Sequence, residues 1–128
     1  ETALGKRKVV EIYGKDYKTK DGTCDRDYIH VNDLALAHLK SIESLGERED
    51  PIVLNLATGL SHSVLDVIKM AEEITNKKIP YQFVSRRKGD SPELYSISND
   101  AKEVLNWSPK HSDLRTILKS MWQVYKKL

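Results

Sequence analysis

Two short stretches of this sequence set cations beside carboxylates at a glycine turn. In Asp21-Gly22-Thr23-Cys24-Asp25-Arg26-Asp27 an arginine stands between two aspartates, shortly after a glycine. In Arg86-Arg87-Lys88-Gly89-Asp90 three cations lead through a glycine to a carboxylate. Such groups can recognise a phosphate joined to a diol. A planar guanidinium makes paired hydrogen bonds to phosphate oxygens, and an aspartate accepts both hydroxyls of a ribose. Each charge-assisted bond of this kind contributes roughly 1.5–3 kcal/mol. On that reading Arg26 and Arg87 serve phosphate and Asp90 serves ribose. One of the flanking aspartates then fixes the Arg26 rotamer, and Gly22 lets its loop fold tightly. The same residues equally form solvated ion networks on exposed turns, worth ~0–1 kcal/mol each, which is where most charged side chains sit. The residues alone leave both readings open.

Other reactive side chains offer less. Thr58-Gly59-Leu60-Ser61-His62-Ser63 precedes a helix start, where an anion could bind. It lacks the lysine and the glycines of a P-loop and reads as a plain strand-to-helix turn. His30, between Ile29 and Val31, reads as a packing histidine. His38, His62 and His111 have neither the spacing nor the cysteine partners of a zinc site. Cys24 has Asp25 beside it, which raises a thiol pKa and disfavours a nucleophile. Trp107 and Trp122 read as core or interface residues. No glycine-rich turn follows a strand and no Tyr-x-x-x-Lys pair occurs, so neither a dinucleotide site nor redox chemistry is expected of this chain.

The elements that must hold these groups follow from period and turn chemistry. A strand at residues 9–13 ends at Gly14, and a polar loop leads to a second short strand at 27–31. Asn32 or Asp33 then caps a helix with Ala35, Leu39 and Ile42 on its apolar stripe, widened by Leu34, Ala37 and Leu45, and ending near Gly46. A charged connection at 47–51 leads to residues 52–57, an apolar run that reads as a strand buried on both faces. Ser63 and Asp66 form a capping box for a helix carrying Val64, Leu65, Val67, Ile68, Ala71 and Ile74 inward. Residues 81–84 read as a strand. The basic turn at 85–92 follows, then a short helix capped by Ser98 or Asn99 and running through Leu105. A final helix from about Asp113 carries Leu114, Ile117, Leu118, Met121, Trp122 and Tyr125. The fold class is therefore α/β, a small mixed sheet with flanking helices. Residues 1–6 look like the end of a helix whose start lies elsewhere, so the chain is expected to begin mid-protein.

Bulk properties are consistent with one domain. The chain has 128 residues, 39% apolar and 31% charged, with net charge +2. The near-neutral charge, with acids and bases interleaved, argues against a nucleic-acid partner. A single cysteine rules out an internal disulfide and suits the cytoplasm. No apolar run approaches the ~20 residues that cross a bilayer, so no membrane role is expected.

Five segments, in this order and spacing, resemble UDP-glucose 4-epimerases of the extended short-chain dehydrogenase/reductase class. They are Ile12-Tyr13-Gly14-Lys15-Asp16-Tyr17, the run from Asp21 through Arg26-Asp27-Tyr28-Ile29-His30-Val31, Asn55-Leu56-Ala57-Thr58-Gly59, Arg86-Arg87-Lys88-Gly89-Asp90 and Leu105-Asn106-Trp107. The resemblance covers nearly the whole chain but only the C-terminal part of the family's length. It implies residues 1–128 as a single UDP-sugar substrate-binding domain, with the Rossmann domain, its NAD and the catalytic Tyr and Lys absent. No cofactor is expected in this chain. It further implies Arg26 and Arg87 on the diphosphate, Asp90 on the ribose, Tyr13 beside the uracil and Leu94 at the hexose. UDP-glucose and UDP-galactose would be the ligands, interconverted through a 4-keto intermediate by the whole enzyme, and the chain alone would be inactive. Asp25 stands where an apolar residue is commoner and Asn106 where glycine is. Other expectations are the substrate domain of a related nucleotide-sugar epimerase or dehydratase, or a non-catalytic nucleotide-sugar module borrowing a Rossmann partner chain. An apolar patch left by the missing domain would permit self-association.

Overall fold

The computed structural model describes residues 1–45 and 50–127. After a 3₁₀ turn at Thr2–Leu4 the chain forms β1 (Val10–Tyr13), β2 (Asp25–Arg26) and α1 (Val31–Leu45). β3 (His62–Ser63) and α2 (Val64–Thr75) follow, then β4 (Tyr81–Val84), β5 (Glu93–Leu94), α3 (Asn99–Leu105) and α4 (Leu114–Tyr125). This is the α/β class that the pattern implies, with the sheet split in two. β1 and β4 pair in parallel, with Val10 opposite Tyr81 and Tyr13 opposite Val84. β2 is the centre of a three-stranded mixed sheet, antiparallel to β3 and parallel to β5. The expected helix end at Gly46 and most of the expected charged connection lie outside the described residues.

Two apolar clusters hold these layers. Ile12 of β1, Ile68 of α2 and Ile79 form one, with Ala3, Val10, Val64, Leu65 and Ala71 packed around them. The α2 register follows from its start: Ser63 Oγ accepts the Asp66 N–H at 3.0 Å and Asp66 returns the bond to the Ser63 N–H, the predicted capping box. Asn76 ends the helix in the left-handed conformation, φ 52°. The second cluster joins Ala37 of α1 to Ala101, Leu105 and Trp107. Trp107 is 1% exposed, and its indole N–H donates to the Asp33 carbonyl at 2.9 Å. Asn106 adopts φ 47° to end α3, a conformation that asparagine tolerates better than most side chains. α4 is capped by Asp113, whose carboxylate accepts the Thr116 N–H, and packs against α2.

Four sequence expectations are corrected. Residues 27–30 form no strand; β2 is only Asp25–Arg26, because the bonding to β5 ends where the Asp27 N–H donates to the Leu94 carbonyl at 3.2 Å, and the chain beyond is held through side chains. The Asp27 carboxylate accepts the N–H groups of Thr58 and Gly59, and the His30 N–H donates to Ser112 Oγ. The cap of α1 is neither Asn32 nor Asp33 but His30, whose Nδ1 accepts the Asn32 N–H at 3.0 Å and whose carbonyl accepts the Leu34 N–H. Its Nε2 lies 2.8 Å from Ser120 Oγ of α4, so His30 is the satisfied packing residue expected. The stripe chosen for α1 is largely exposed: Leu34, Leu39, Ile42 and Leu45 face outward, and the buried positions are Asp33 and Ala37. Residues 52–57 form no strand among the described residues, and Val53 is 97% exposed. A strand requires a ladder partner, and these residues have none within the described chain. Leu54 and Leu56 instead pack on the Trp107 cluster.

Asp33 replaces its expected capping role with a longer-range one. It is 1% exposed, and Oδ2 accepts the Ser112 hydroxyl at 2.6 Å and the His111 N–H at 2.8 Å. It thereby ties the start of α1 to the segment leading into α4. Replacing Asp33 with alanine strands these donors and should lower stability by about 1–3 kcal/mol in urea unfolding, whereas Asp33→Asn, which keeps an acceptor, should cost less.

Candidate functional site

The site begins with two glycine-dependent turns. Gly22 has φ 82°, and a Cβ there would run into the Lys15 carbonyl oxygen. The 15–24 loop is therefore closed tightly, with the Tyr17 N–H bonded to the Gly22 carbonyl at 3.0 Å. Asp21 fastens the far side of that loop through the Thr23 N–H, the Thr23 hydroxyl and the Ser63 hydroxyl. This delivers Arg26 at the middle strand of the mixed sheet. The second turn runs from Arg87 to Asp90, closed by the Asp90 N–H on the Arg87 carbonyl at 3.3 Å. Gly89 sits at its third position with φ 90°, the left-handed corner of a type II turn. No neighbour crowds that position, so glycine is required there by the backbone alone.

The two turns meet. Arg26 Nη2 lies 3.8 Å from Asp90 Oδ1, and Arg87 Nε donates to Asp90 Oδ2 at 3.1 Å. The Arg87 guanidinium stands 4.3 Å from the centre of the Tyr13 ring, a cation–π stack. Leu94 is the β5 partner of Arg26 in the ladder. All five expected residues, Arg26, Arg87, Asp90, Tyr13 and Leu94, are thus neighbours, though they come from four separate elements. Arg26 and Asp90 are about three-quarters covered, while Arg87 is 63% exposed at its side chain.

The Arg26 rotamer is not set by its flanking aspartates, as the sequence suggested. Nη1 donates to the backbone carbonyls of Asp25 at 2.8 Å and Ser91 at 3.0 Å. The Asp27 carboxylate is engaged instead by the Thr58 hydroxyl at 2.6 Å and the adjacent N–H groups, which pins the 58–60 turn beside the site. Arg86 has a role the sequence did not separate from that of Arg87. Its Nε donates to Asp16 at 2.8 Å, and its guanidinium lies 4.1 Å from the Tyr17 ring centre. Gly14 permits this approach, since a Cβ there would strike both Tyr17 and Arg86. The Arg86 hydrogen bond holds the Asp16 carboxyl below its usual range. Arg86 therefore braces the loop. Ser91 had no sequence signal, and the roles of Asp16, Tyr17 and Asp27 were not legible, because each acts through a partner distant in the chain.

Three further carboxyls, Asp21, Asp25 and Asp33, titrate abnormally. Burial raises Asp25, helped by the charges of Asp21, Glu93 and Asp66. Burial also works to raise Asp21 and Asp33, but hydrogen bonds prevail and hold both low: from Ser63 and Thr23 in the first case, and from Ser112, His111 and Lys110 in the second.

Among the described residues, the start of α2 does not suit the pyrophosphate of a dinucleotide. At the N-terminus of α2, the strand-to-helix turn suggested by sequence, the Asp66 N–H is taken by Ser63 Oγ and the Val64 N–H by the Cys24 carbonyl, with the Asp21 carboxylate accepting the Ser63 hydroxyl alongside. Two carboxylates there oppose a pyrophosphate. Among the described residues no cluster of His, Cys, Asp and Glu is arranged to hold a metal ion. No helix among them is long and apolar enough to cross a membrane. A groove of about 510 Å³ lies elsewhere, between α2, α4 and the first residues, and none of the five site residues lines it.

No family model matches the chain. It is 42% identical over 127 residues to a UDP-glucose 4-epimerase of Rhizobium leguminosarum bv. trifolii, covering 99% of this chain and 38% of that protein. Among solved structures it matches a Stenotrophomonas maltophila UDP-glucose-4-epimerase with bound NAD and formylated UDP-arabinopyranose, with TM-score 0.93 and 37% identity over 98% of this chain and 37% of the other. A Bifidobacterium longum UDP-glucose 4-epimerase in complex with NAD+ and UDP gives TM-score 0.93 at 39% identity, with the same coverage of both chains. The UDP-Glc/GlcNAc 4-epimerase of Campylobacter jejuni gives 0.86 at 38% identity, covering all of this chain and 39% of that one. Fold and sequence together define the class: this is the C-terminal domain fold of nucleotide-sugar epimerases in the extended short-chain dehydrogenase/reductase group. Within that class the chain belongs to the UDP-glucose 4-epimerase family, and it spans little more than a third of the length of the relatives it matches.

Two outcomes test this account of the site. As pH falls from neutrality, Asp25 takes up its proton above the ordinary value of 3.8, and the folded state binds that proton more tightly, so stability rises. Below that range Asp21 and Asp33, with the more exposed Asp16, Glu72 and Asp113, remain charged in the fold while their unfolded counterparts protonate, so stability falls. A Tm-versus-pH curve should show this rise and fall, and Asp25→Asn should remove only the rise. Separately, Gly89→Ala should cost about 1–2 kcal/mol in urea unfolding by forcing a side chain into the left-handed corner.

Proposed function

We propose that this chain is the UDP-sugar-holding part of a UDP-glucose 4-epimerase, with Arg26 and Arg87 on the diphosphate and Asp90 on the ribose hydroxyls. Tyr13 flanks the base and Leu94 borders the hexose. The observation that carries the reading is the meeting of Arg26, Arg87, Asp90 and Tyr13 around one carboxylate. In the free chain Asp90 neutralises part of both guanidiniums. An incoming diphosphate would take over that role, freeing the carboxylate to accept ribose hydroxyls. The related structures whose ligands include UDP or a UDP-sugar support this choice of ligand.

The proposed division of labour has a physical logic. Epimerisation at C4 through a keto intermediate requires the sugar to present both faces in turn. A grip on the distant nucleotide supplies binding energy without fixing the reacting ring. NAD, as found in the related structures, would supply hydride chemistry from another part of the protein. This chain by itself would hold the nucleotide and leave the sugar unchanged.

The outward face of α1 and residues 52–57 support a missing partner domain. An amphipathic helix whose apolar stripe faces out, followed by an apolar run without a ladder, is half of an alternating helix–strand unit. The partner would offer a sheet edge to residues 52–57 and a sheet face to α1. We place the protein in the cytoplasm, where buried, unpaired Cys24 meets no oxidant.

UDP titrated into the 128-residue chain should shift the Arg26 and Arg87 Nε resonances, with no conversion of UDP-galactose by the chain alone. Arg26→Ala and Arg87→Ala should each weaken binding about tenfold, or 1.4 kcal/mol. Asp90→Asn should abolish the preference for UDP over its 2′-deoxy analogue. Unmoved Arg26 and Arg87 resonances at millimolar UDP would sink the reading. In the full-length protein, the ratio of turnover on UDP-galactose and on its N-acetyl analogue should change on Leu94→Tyr if Leu94 borders the hexose.

A further inference from the structure

We propose that Tyr17 is a positioning residue for nucleotide recognition: its buried hydroxyl, which has no hydrogen-bond partner among the described residues of the free chain, donates to the Asp90 carboxylate once a diphosphate draws Arg26 and Arg87 away. The hydroxyl then aims that carboxylate at the ribose from behind. This inference rests on the nucleotide reading above and adds to it the group that holds Asp90 in the bound state.

The burial and pairing of the phenol carry the argument. Tyr17 is 6% exposed. Two buried side-chain polar atoms lack a hydrogen-bond partner among the described residues, the Tyr17 hydroxyl and Asp33 Oδ1. The Asp33 carboxylate, held ionised by its other bonds, can only accept. Among the described residues the unused buried donor is therefore Tyr17. Leaving a buried donor unused destabilises a fold, and such a group in a native structure calls for a reason. A partner that comes within reach when a ligand binds is such a reason.

The ring is held on three sides. The Tyr17 N–H donates to the Gly22 carbonyl at 3.0 Å, the Arg86 guanidinium covers the ring at 4.1 Å, and a Cβ on Gly14 would lie 2.5 Å from Tyr17 Cε2. Arg86 is in turn tied to Asp16. Two successive arginines thus lie on two tyrosines, Arg86 on buried Tyr17 and Arg87 on half-buried Tyr13, which puts the phenol under the segment that leads to Asp90. Burial, the Cys24 thiol and the Asp90 charge raise the phenol above its usual pKa of 10.0, so it keeps its proton and is a donor at neutral pH. Asp90 is the carboxylate whose charge acts on it. That carboxylate is itself about three-quarters covered, and a covered charge needs donors on its covered side. In the free chain Arg26 and Arg87 supply them, at 3.8 and 3.1 Å. With both guanidiniums on a diphosphate, ribose hydroxyls reach only the open side. A carboxylate has about four acceptor positions, and the Tyr17 O–H fills one on the covered side.

Tyr17→Phe keeps the ring under Arg86 and deletes only the hydroxyl, so stability and recognition should part. The urea midpoint should rise, because an unused buried donor is gone. UDP affinity should fall about tenfold, and the preference for UDP over 2′-deoxy-UDP should shrink with it. In an Asp90→Ala background the same change should leave UDP affinity where it was. The Tyr17 Cζ resonance, assigned by its loss in Tyr17→Phe, should move with UDP in the unaltered chain and stay put in Asp90→Ala. An unchanged UDP affinity in Tyr17→Phe, an equal loss with and without Asp90, or a lower urea midpoint would overturn the inference while Arg26 and Arg87 still answer to UDP. Silence of those two arginines would instead overturn the nucleotide reading, and this inference with it.

Discussion

One carboxylate shared by two guanidiniums organises the candidate site of this molecule. Asp90 faces Arg26 from β2 and Arg87 from its own turn. The turn can present it only because Gly89 bends the chain left-handed. The ladder between β2 and β5 then aligns Leu94 with Arg26. Charges this covered are tolerated when paired and hydrogen-bonded. Arg26 meets that condition through two backbone carbonyls as well as Asp90. Because the pair is preformed, a ligand would exchange partners rather than order a loose loop, which keeps the entropic cost of binding low.

A second carboxylate, this one fully buried, does comparable work for the scaffold. Asp33 binds the segment before α4 through its side chain and the Trp107 indole through its carbonyl. His30, one turn away, reaches α4 at Ser120. The start of α1 is thus fastened at both ends of the 107–120 region, which leaves its middle turns free to present an apolar face outward.

Local signals in the sequence were legible; distant pairings were not. The Ser63–Asp66 box, the α4 stripe and the two parallel strands follow from residue type and period. The grouping of Arg26, Arg87, Asp90, Tyr13 and Leu94 came from resemblance, because their own types fit solvated turns as well. β3 and β5 are two residues each, too short to carry a period. Asp33 looks like a cap, and nothing local marks Ser112 as its partner. The α1 stripe and residues 52–57 were misassigned for one reason. Apolar pattern reports a surface that seeks cover, and among the described residues Leu34, Leu39, Ile42 and Leu45 find none, so of the α1 stripe only Ala37 is buried, alongside Asp33.

The parallel pairing of β1 with β4 has a kinetic consequence. α1, β3 and α2 all lie between the two strands in the chain, so no short hairpin can start that sheet. Its closure must wait for a long intervening loop to be drawn together, at an entropic cost met before any ladder bond repays it. The ribosome would release β1 well before its mate, leaving an unsatisfied edge open to other chains in the interval. Synthesis speed and chaperone access, rather than final stability, would then govern how much of this polypeptide reaches its native form.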